Sequence, residues 1–198
     1  MATSTRTANR HIVEGTLGCP VCKATFAIVD GEARFGSSAS LLSTRVLDDD
    51  ASFRLAAQLH LVEAPLPILL VGGWSRAVTP LRRIVPHVTM FVGDARTVVT
   101  QDERVSALRL PLRGIPLASG ALRGVALDAD HSGADWCDES ARVMCSGGRL
   151  VVPAAHELDE ALWRVLARDD TATVAERLPT ASAPVTLRRA PKAPLFEG

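Results

Sequence analysis

The stretch "ILLVGGWSR", residues 68–76, decides the predicted fold, because a run of apolar residues leads directly into two glycines. An apolar run of this kind indicates a strand that is buried on both faces, as in a parallel sheet. The glycine turn after such a strand is where nucleotide-binding α/β proteins hold their cofactor. That turn usually carries three spaced glycines, and here Trp74 and Arg76 stand at two of those places. The stretch is therefore either a working cofactor loop or the remains of one.

Composition indicates a folded protein with room for one full domain and a small appendage, since the chain has 198 residues, 47% of them hydrophobic and 22% charged. The net charge is +0, so no overall field attracts nucleic acid or an anionic membrane. The longest near-continuous apolar run, residues 64–71, is far shorter than the ~20 residues that span a bilayer. Residues 1–15 lack the apolar core of a secretory signal. We therefore expect a cytoplasmic protein without a membrane partner, and nucleic acid is not indicated.

Residues 12–36 are predicted to form a small β-rich unit. Its Asp-Gly pair at residues 30–31, between short apolar stretches, is a strong hairpin signal. Cys19 and Cys22 have the spacing at which two thiolates bind one Zn²⁺, and His11 is a candidate third ligand. A structural zinc site needs four ligands, however. A zinc site and a bare turn without metal both remain open.

From residue 48 onwards, strand-like and helical stretches alternate. Strands are predicted over 68–71, 88–93, 105–112, 122–130, 148–154, 171–178 and 183–190. Helices are predicted over 48–64, from an N-cap at Thr79 with Pro80 in the first turn, and over 134–145 and 156–168. This alternation, closed by a strand pair, implies a mostly parallel sheet of about seven strands with helices on both faces.

Two later stretches resemble class I S-adenosylmethionine-dependent methyltransferases. "IPLASGALRGVAL" (115–127) is similar to the "LPFPDGSFDVVV" stretch of that family, and "ARVMCSGGRLVVP" (141–153) is similar to its "RVLKPGGRLVL" stretch. Together with "ILLVGG" they stand in the family's order and spacing over residues 48–190. The resemblance implies a Rossmann-like methyltransferase fold, with a terminal antiparallel strand pair and S-adenosylmethionine as the cofactor.

The stretch "TLGCPVCKATFAIVDGEARFG" (16–36) is similar to the small zinc-binding family that activates tRNA and protein methyltransferases, in which a CPxC knuckle precedes a hairpin. This resemblance implies zinc at the knuckle and a docking surface there for a protein partner. The predicted organisation is a flexible N-terminus at 1–11, a knuckle-like unit at 12–36, a linker at 37–47, a methyltransferase-like domain at 48–190 and a tail at 191–198.

Most of the contacts that the methyltransferase family makes with its cofactor are missing from this sequence. The acidic residue that fixes the amino-acid part of the cofactor matches Leu70, and the later glycines match Trp74 and Arg76. The aspartate that would bind the adenine amine falls near Pro111, and the acidic residue of the "DGSFD" stretch is Arg123. A side chain in place of a glycine also prevents close approach of the backbone to a ligand.

Three residues keep the positions that the resemblance assigns to the cofactor. Gly72 and Gly73 can still make the turn, and Asp94 is the candidate carboxylate for the ribose hydroxyls. Two functions therefore remain open. One is a non-catalytic methyltransferase-like protein that acts as a scaffold or partner subunit, and the other is a divergent, active methyltransferase of unknown substrate.

A polar cluster lies at the end of the predicted strand 122–130 and just after it, and consists of Asp128, Asp130, His131 and Asp135. The carboxyl ends of parallel strands border the ligand crevice, where a histidine among carboxylates could act as a general base or bind a metal. The same residues also suit a polar loop that caps the next helix. Both interpretations stay open.

Overall fold

The structure, a computed structural model, describes residues 1–8, 11–20, 22–36, 47–63, 66–95 and 99–179. Its helices are α1 (Asp49–Gln58), α2 (Val78–Ile84) and α3 (Ala134–Val143). Its strands are β1 (Ala2–Ala8), β2 (His11–Gly18), β3 (Thr25–Val29), β4 (Glu32–Arg34), β5 (Ile68–Val71), β6 (Met90–Gly93), β7 (Val105–Arg109), β8 (Leu122–Ala126), β9 (Met144–Pro153), β10 (Trp163–Arg168) and β11 (Ala172–Arg177). Within the described ranges these strands form one sheet in the order β1-β2-β3-β4-β7-β6-β5-β8-β9-β11-β10.

Strand β5 is the central strand that the sequence predicts. It pairs in parallel with β6 on one side and with β8 on the other. Its residues alternate between two apolar clusters: Leu69 and Val71 pack in the cluster that contains α3 residues, and Ile68 and Leu70 pack in the cluster that contains residues of α1 and α2. All four side chains are fully buried. The prediction of a strand covered on both faces by helices is confirmed.

The sheet is larger and more mixed than the predicted seven-stranded, mostly parallel one. Strands β5 to β9 pair in parallel, whereas β11 is antiparallel to both β9 and β10. These seven strands form a Rossmann-like α/β sheet in the order β7-β6-β5-β8-β9-β11-β10. Strands β1 to β4 form an antiparallel meander, and β4 then pairs in parallel with β7 through Ala33 and Leu108. The knuckle-like unit therefore continues the main sheet.

Side-chain contacts strengthen the junction between the N-terminal unit and the rest of the sheet. Glu32 on β4 accepts hydrogen bonds from Arg109 on β7, with Nη2 lying 3.1 Å from Oε1 and 2.9 Å from Oε2. Both side chains are mostly buried, at 24% and 15% exposed for Arg109 and Glu32. A two-point contact between a guanidinium and a carboxylate is among the stronger hydrogen-bonded pairs in proteins. It holds β4 and β7 in register.

The N-terminal stretch that was expected to be flexible contains strand β1, and the turn at 30–31 forms as predicted. Thr3, Thr5 and Thr7 are β-branched and favour an extended backbone, and the strand pairs with β2 although its own residues are exposed. Asp30 and Gly31 have φ angles of 50° and 79°, the left-handed values of a two-residue hairpin turn. The domain boundaries themselves stay a prediction.

The helix predicted over 156–168 is wrong, because residues from Trp163 onwards form strand β10. Asp159 closes a turn by accepting hydrogen bonds at its carbonyl from the N–H groups of Leu162 and Trp163. Arg164 then bonds Glu176 across the strand pair at 2.7 Å. Pairing with β11 outweighs the helical spacing of the apolar residues. The terminal antiparallel pair is thus β10–β11, and the predicted strand 183–190 lies outside the described residues.

Two of the three other predicted helix starts differ in outcome. Asp48 caps α1, since its Oδ1 accepts a hydrogen bond from the Ala51 N–H at 2.7 Å. Thr79 is not an N-cap, because a 3₁₀ turn over Gly72–Ala77 runs directly into α2. None of the helices in the described part of the chain is long and apolar enough to cross a membrane.

Candidate functional site

The carboxyl ends of β5, β6 and β8 lie at one edge of the sheet and bring together the predicted cofactor residues. Gly72 and Gly73 follow β5, Asp94 follows β6, and Asp128 lies two residues beyond β8. Because β6 and β8 flank β5, this edge is the point at which the chain order switches direction, where open α/β sheets bind ligands. We call this place the crevice.

The crevice is occupied by a side chain of the protein itself. Oδ2 of Asp128 accepts a hydrogen bond from the backbone N–H of Gly73 at 2.7 Å. Gly72 has a φ of 60°, and a Cβ atom added to it would collide with the carboxylate of Asp128. Glycine is therefore required at position 72 both by the backbone conformation and by the approach of Asp128.

His131 links Asp128 to Asp94 across the crevice. Its Nδ1 lies 2.7 Å from Oδ1 of Asp128, and its Nε2 lies 3.3 Å from Oδ2 of Asp94. The other oxygen of Asp94, Oδ1, accepts a hydrogen bond from the Leu110 N–H at 3.1 Å. Gly73, Asp128, His131 and Asp94 thus form one continuous hydrogen-bonded chain, which we call the Asp-His-Asp bridge.

The bridge keeps His131 protonated at neutral pH. Burial disfavours the charged ring, but hydrogen bonds to Asp128 and Asp94, together with attraction to both carboxylates, outweigh it and raise the pKa of His131 to about 9. A protonated imidazole donates from both nitrogens, which matches its two carboxylate partners. At neutral pH the ring is therefore a cation and a hydrogen-bond donor, and it is not available as a general base.

Trp74 and Arg76, which replace glycines of the family pattern, fold back onto the crevice wall. The indole Nε1 of Trp74 donates to the carbonyl of Leu127 at 3.0 Å, and Nε of Arg76 donates to the carbonyl of Gly73 at 3.0 Å. The bond of Trp74 ties the glycine turn to the end of β8, and the bond of Arg76 lies within the turn. Both side chains therefore have structural partners.

Two small cavities adjoin the bridge. One of about 150 Å³ is lined by Asp94 and His131, among other residues, and one of about 220 Å³ is lined by Gly73, Trp74 and Asp128, among others. Pockets for drug-sized ligands span roughly 300–1,000 Å³. Each cavity therefore suits a fragment of a nucleotide-sized cofactor and not the whole molecule.

The other residues of the polar cluster, and the residues that replace acidic positions of the family pattern, lie outside the bridge. Asp130 and Pro111 line the 150 Å³ cavity. Asp135 is 71% exposed and lies 3.8 Å from Arg113. Arg123, near the start of β8, donates to the carbonyl of Gly147 at 2.8 Å. Of the predicted cluster, only Asp128 and His131 form part of the bridge.

The described residues do not assemble a zinc site at the knuckle. Cys19 and Cys22 flank the turn, but no group of three or more potential metal ligands occurs within the described ranges. The Nε2 of His11, the candidate third ligand, instead lies 3.1 Å from Oε1 of Gln101. Two thiols fall short of the four ligands of a structural zinc, so a zinc centre within one chain is not supported.

Two features of the site were missed at the level of sequence. One is the contact between Asp94 and His131, and the other is Trp136, whose ring meets the His131 ring edge-on at a centroid distance of 5.1 Å. Asp94 follows the predicted strand 88–93 and Asp128 lies near the end of the predicted strand 122–130, which is a signal that they share an edge. The position of Trp136 carries no comparable signal, because tryptophan in a helical pattern is most simply a core residue.

No family model matches the chain, and no curated protein matches it. Solved structures do match. The geranyl diphosphate C-methyltransferase from Streptomyces coelicolor A3(2), in complex with Mg²⁺, geranyl diphosphate and S-adenosyl-L-homocysteine, aligns with a TM-score of 0.42 and 17% identity, over 54% of this chain and 44% of that chain. The antibiotic-resistance methyltransferase Kmr aligns with a TM-score of 0.42 and 13% identity, over 71% of this chain and 98% of that chain.

A third match is to a complex of the Haloferax volcanii Trm112 methyltransferase activator with a chain described as a methyltransferase, with a TM-score of 0.37 and 19% identity, over 52% of this chain and 54% of that chain. The chain spans less than half the length of the first solved structures that it matches. These likenesses, with TM-scores below 0.5 and identities below 20%, are partial and concern the fold alone.

Proposed function

We propose that this chain is a non-catalytic methyltransferase-like protein that does not bind S-adenosylmethionine and acts as a scaffold or partner subunit. The observation that carries the proposal is the hydrogen bond from the Gly73 N–H to Asp128. The backbone N–H groups of a glycine turn at the end of a strand are the donors that such a fold offers to an anionic ligand group. Here a carboxylate of the protein takes one of them.

Electrostatics support the same conclusion. S-adenosylmethionine carries a carboxylate and an ammonium group in its amino-acid part. A ligand carboxylate at Gly73 would meet the like charge of Asp128, which is costly in a partly buried place. At the position where the family has an acidic residue, Leu70 is fully buried in an apolar cluster and offers no charge to the ammonium.

The protonation of His131 also supports a non-catalytic role. Its pKa of about 9 leaves it without a vacant acceptor nitrogen at neutral pH. Transfer from a sulfonium relies mainly on proximity and orientation, and some acceptors also need a base. The only histidine of the predicted cluster is engaged in the bridge.

The second candidate function, a divergent and active methyltransferase, is favoured by one observation. Gly72, Gly73 and Asp94 do lie at the same edge of the sheet, as cofactor binding would require. For S-adenosylmethionine to bind there, the side chain of Asp128 must leave the Gly73 N–H. The substrate of such an enzyme is not indicated.

Isothermal titration calorimetry of the full chain with S-adenosylmethionine and with S-adenosylhomocysteine separates the two candidates. We expect no binding tighter than about 1 mM for either ligand. Micromolar binding would overturn the proposal and support the divergent enzyme, with Gly72, Gly73 and Asp94 as its contacts.

A variant series identifies what blocks the crevice. Trp74→Gly removes the indole but leaves Asp128 on the Gly73 N–H, so we expect little recovery of binding. Adding Asp128→Ala exposes that N–H, and we expect at most partial recovery because Leu70 still offers no charge. Circular dichroism of each variant establishes that it is folded before titration.

A further inference from the structure

A much larger concave surface lies at the β10 edge of the sheet. This open cleft, which we call the β10 cleft, has a volume of about 690 Å³, within the range of roughly 300–1,000 Å³ that ligand sites occupy. Its apolar lining comes from Leu158, Trp163, Val165 and Leu178. Val165 is 48% exposed, so an apolar side chain is left open to a partner.

Two arginines and two glutamates line the β10 cleft, and with Glu176 beside them the carboxylates exceed the guanidinium groups by one. Arg164 is paired with Glu176 at 2.7 Å, and Arg168 donates to Oγ1 of Thr173 at 2.9 Å. Glu157 and Glu160 also line the cleft, are exposed, and have no ion pair within the described ranges. Arg164 is therefore neutralised within the protein, and Arg168 keeps its charge on neutral partners, whereas the two glutamates are available to a cationic ligand.

The outer backbone edge beside the cleft also lacks a strand partner among the described residues. Strand β10 is the last strand in the sheet, and its outer edge pairs with no strand in the described part of the chain. An exposed edge accepts an extended polypeptide through main-chain hydrogen bonds.

We propose that the β10 cleft docks an extended segment of a protein partner that carries both basic and apolar side chains. The edge of β10 would pair with the segment backbone, its apolar side chains would pack on Trp163 and Val165, and its basic side chains would lie against Glu157 and Glu160. A small cation would use the glutamates but not the strand edge, which is why the geometry favours a polypeptide. The proposal does not depend on whether the crevice binds a cofactor.

The test uses fluorescence anisotropy with a short labelled peptide in which leucine and arginine alternate, added to the full chain. We expect it to bind, and a peptide with glutamate in place of arginine not to bind. The double variant Glu157→Lys/Glu160→Lys should bind the basic peptide about tenfold more weakly or worse. The matched control is Glu103→Lys/Asp138→Lys, which makes the same charge change at exposed residues outside the cleft and should leave binding unchanged.

Equal binding of both peptides, or equal loss in the two double variants, would overturn the proposal. So would full competition by free arginine amide, because this would make the cleft a site for small cations. The basic stretch of this chain that contains Arg188, Arg189 and Lys192 is another possible occupant. If changing these three residues to glutamate creates peptide binding that the unmodified chain lacks, a partner segment is not the normal occupant and the proposal fails.

Discussion

The crevice and the β10 cleft are both concave and both carry charge, but they use that charge in opposite ways. In the crevice, Asp94 and Asp128 share His131, and a backbone N–H that could serve a ligand is taken by Asp128. In the β10 cleft, Glu157 and Glu160 have no ion pair within the described ranges. We therefore expect ligand binding at the β10 cleft, where polar groups are left without partners within the described ranges, and not at the crevice, where the family resemblance places the cofactor.

The largest effect is expected from breaking the Asp-His-Asp bridge with Asp128→Ala. This change leaves a buried, charged His131 with one carboxylate instead of two and leaves the Gly73 N–H without its acceptor. We expect the free energy of unfolding to fall by roughly 2–4 kcal/mol. Urea denaturation followed by circular dichroism measures it.

The matched control for this change is Asp135→Ala. Asp135 belongs to the same sequence cluster but is 71% exposed and only loosely paired, so its removal should change the free energy of unfolding by less than about 0.5 kcal/mol. If Asp128→Ala and Asp135→Ala lower the free energy of unfolding equally, the bridge stabilises the fold no more than an exposed carboxylate does.

The second-largest effect is expected in the pH dependence of the free energy of unfolding. The folded-state pKa of His131 is about 9, above the ordinary value of 6.5, so the folded protein binds the proton more tightly than the unfolded chain. The resulting stabilisation is complete below about pH 6.5 and is lost as the pH rises through about 9. Between pH 7 and 10 we expect the unmodified chain to lose about 1–3 kcal/mol more than His131→Gln. If the unmodified chain and His131→Gln lose the same stability over this pH range, His131 is not the group that causes the pH dependence.

The smallest effect compares the two tryptophans. Trp74→Phe removes a hydrogen bond to the Leu127 carbonyl and should cost about 1 kcal/mol. Trp163→Phe removes an N–H that has no acceptor within the described residues, but it also leaves a cavity, because Trp163 is 3% exposed in the core cluster. We therefore expect a larger loss of stability for Trp163→Phe than for Trp74→Phe, measured by thermal unfolding of both variants. An equal or smaller loss for Trp163→Phe would mean that packing of its indole contributes less than the hydrogen bond of Trp74.

The sequence predicts those parts of the fold that local patterns dictate. Residues 68–71 form a central strand because four apolar side chains in succession need cover on both faces, and the Asp-Gly pair at 30–31 forms a hairpin because both residues tolerate positive φ. Residues 156–168 were mispredicted because helical spacing of apolar residues competes there with pairing to β11, which no local pattern reveals. The parallel pairing of Ala33 with Leu108 is equally non-local.

The candidate site was predictable only where it follows from the order of the parallel strands. The topology places Gly72, Gly73 and Asp94 at one edge, and this follows from each of them coming at the end of a parallel strand. The return of Asp128 onto Gly73 depends on the direction of one side chain after β8, and the sequence alone does not determine it. The pKa of His131 depends in turn on that geometry and is likewise invisible in the sequence.

The pairing of β4 with β7 has a consequence for the order in which the chain folds. The meander β1 to β4 joins neighbouring segments and can form as soon as it is synthesised, because its turns close short loops. Its place in the sheet becomes available only after residues 105–109 have been made, and Glu32 meets Arg109 only then. During synthesis the edge of β4 stays unpaired until β7, about seventy residues further along the chain, has been made. A ribosome-bound chain that ends before β7 therefore presents a strand edge that the finished protein hides.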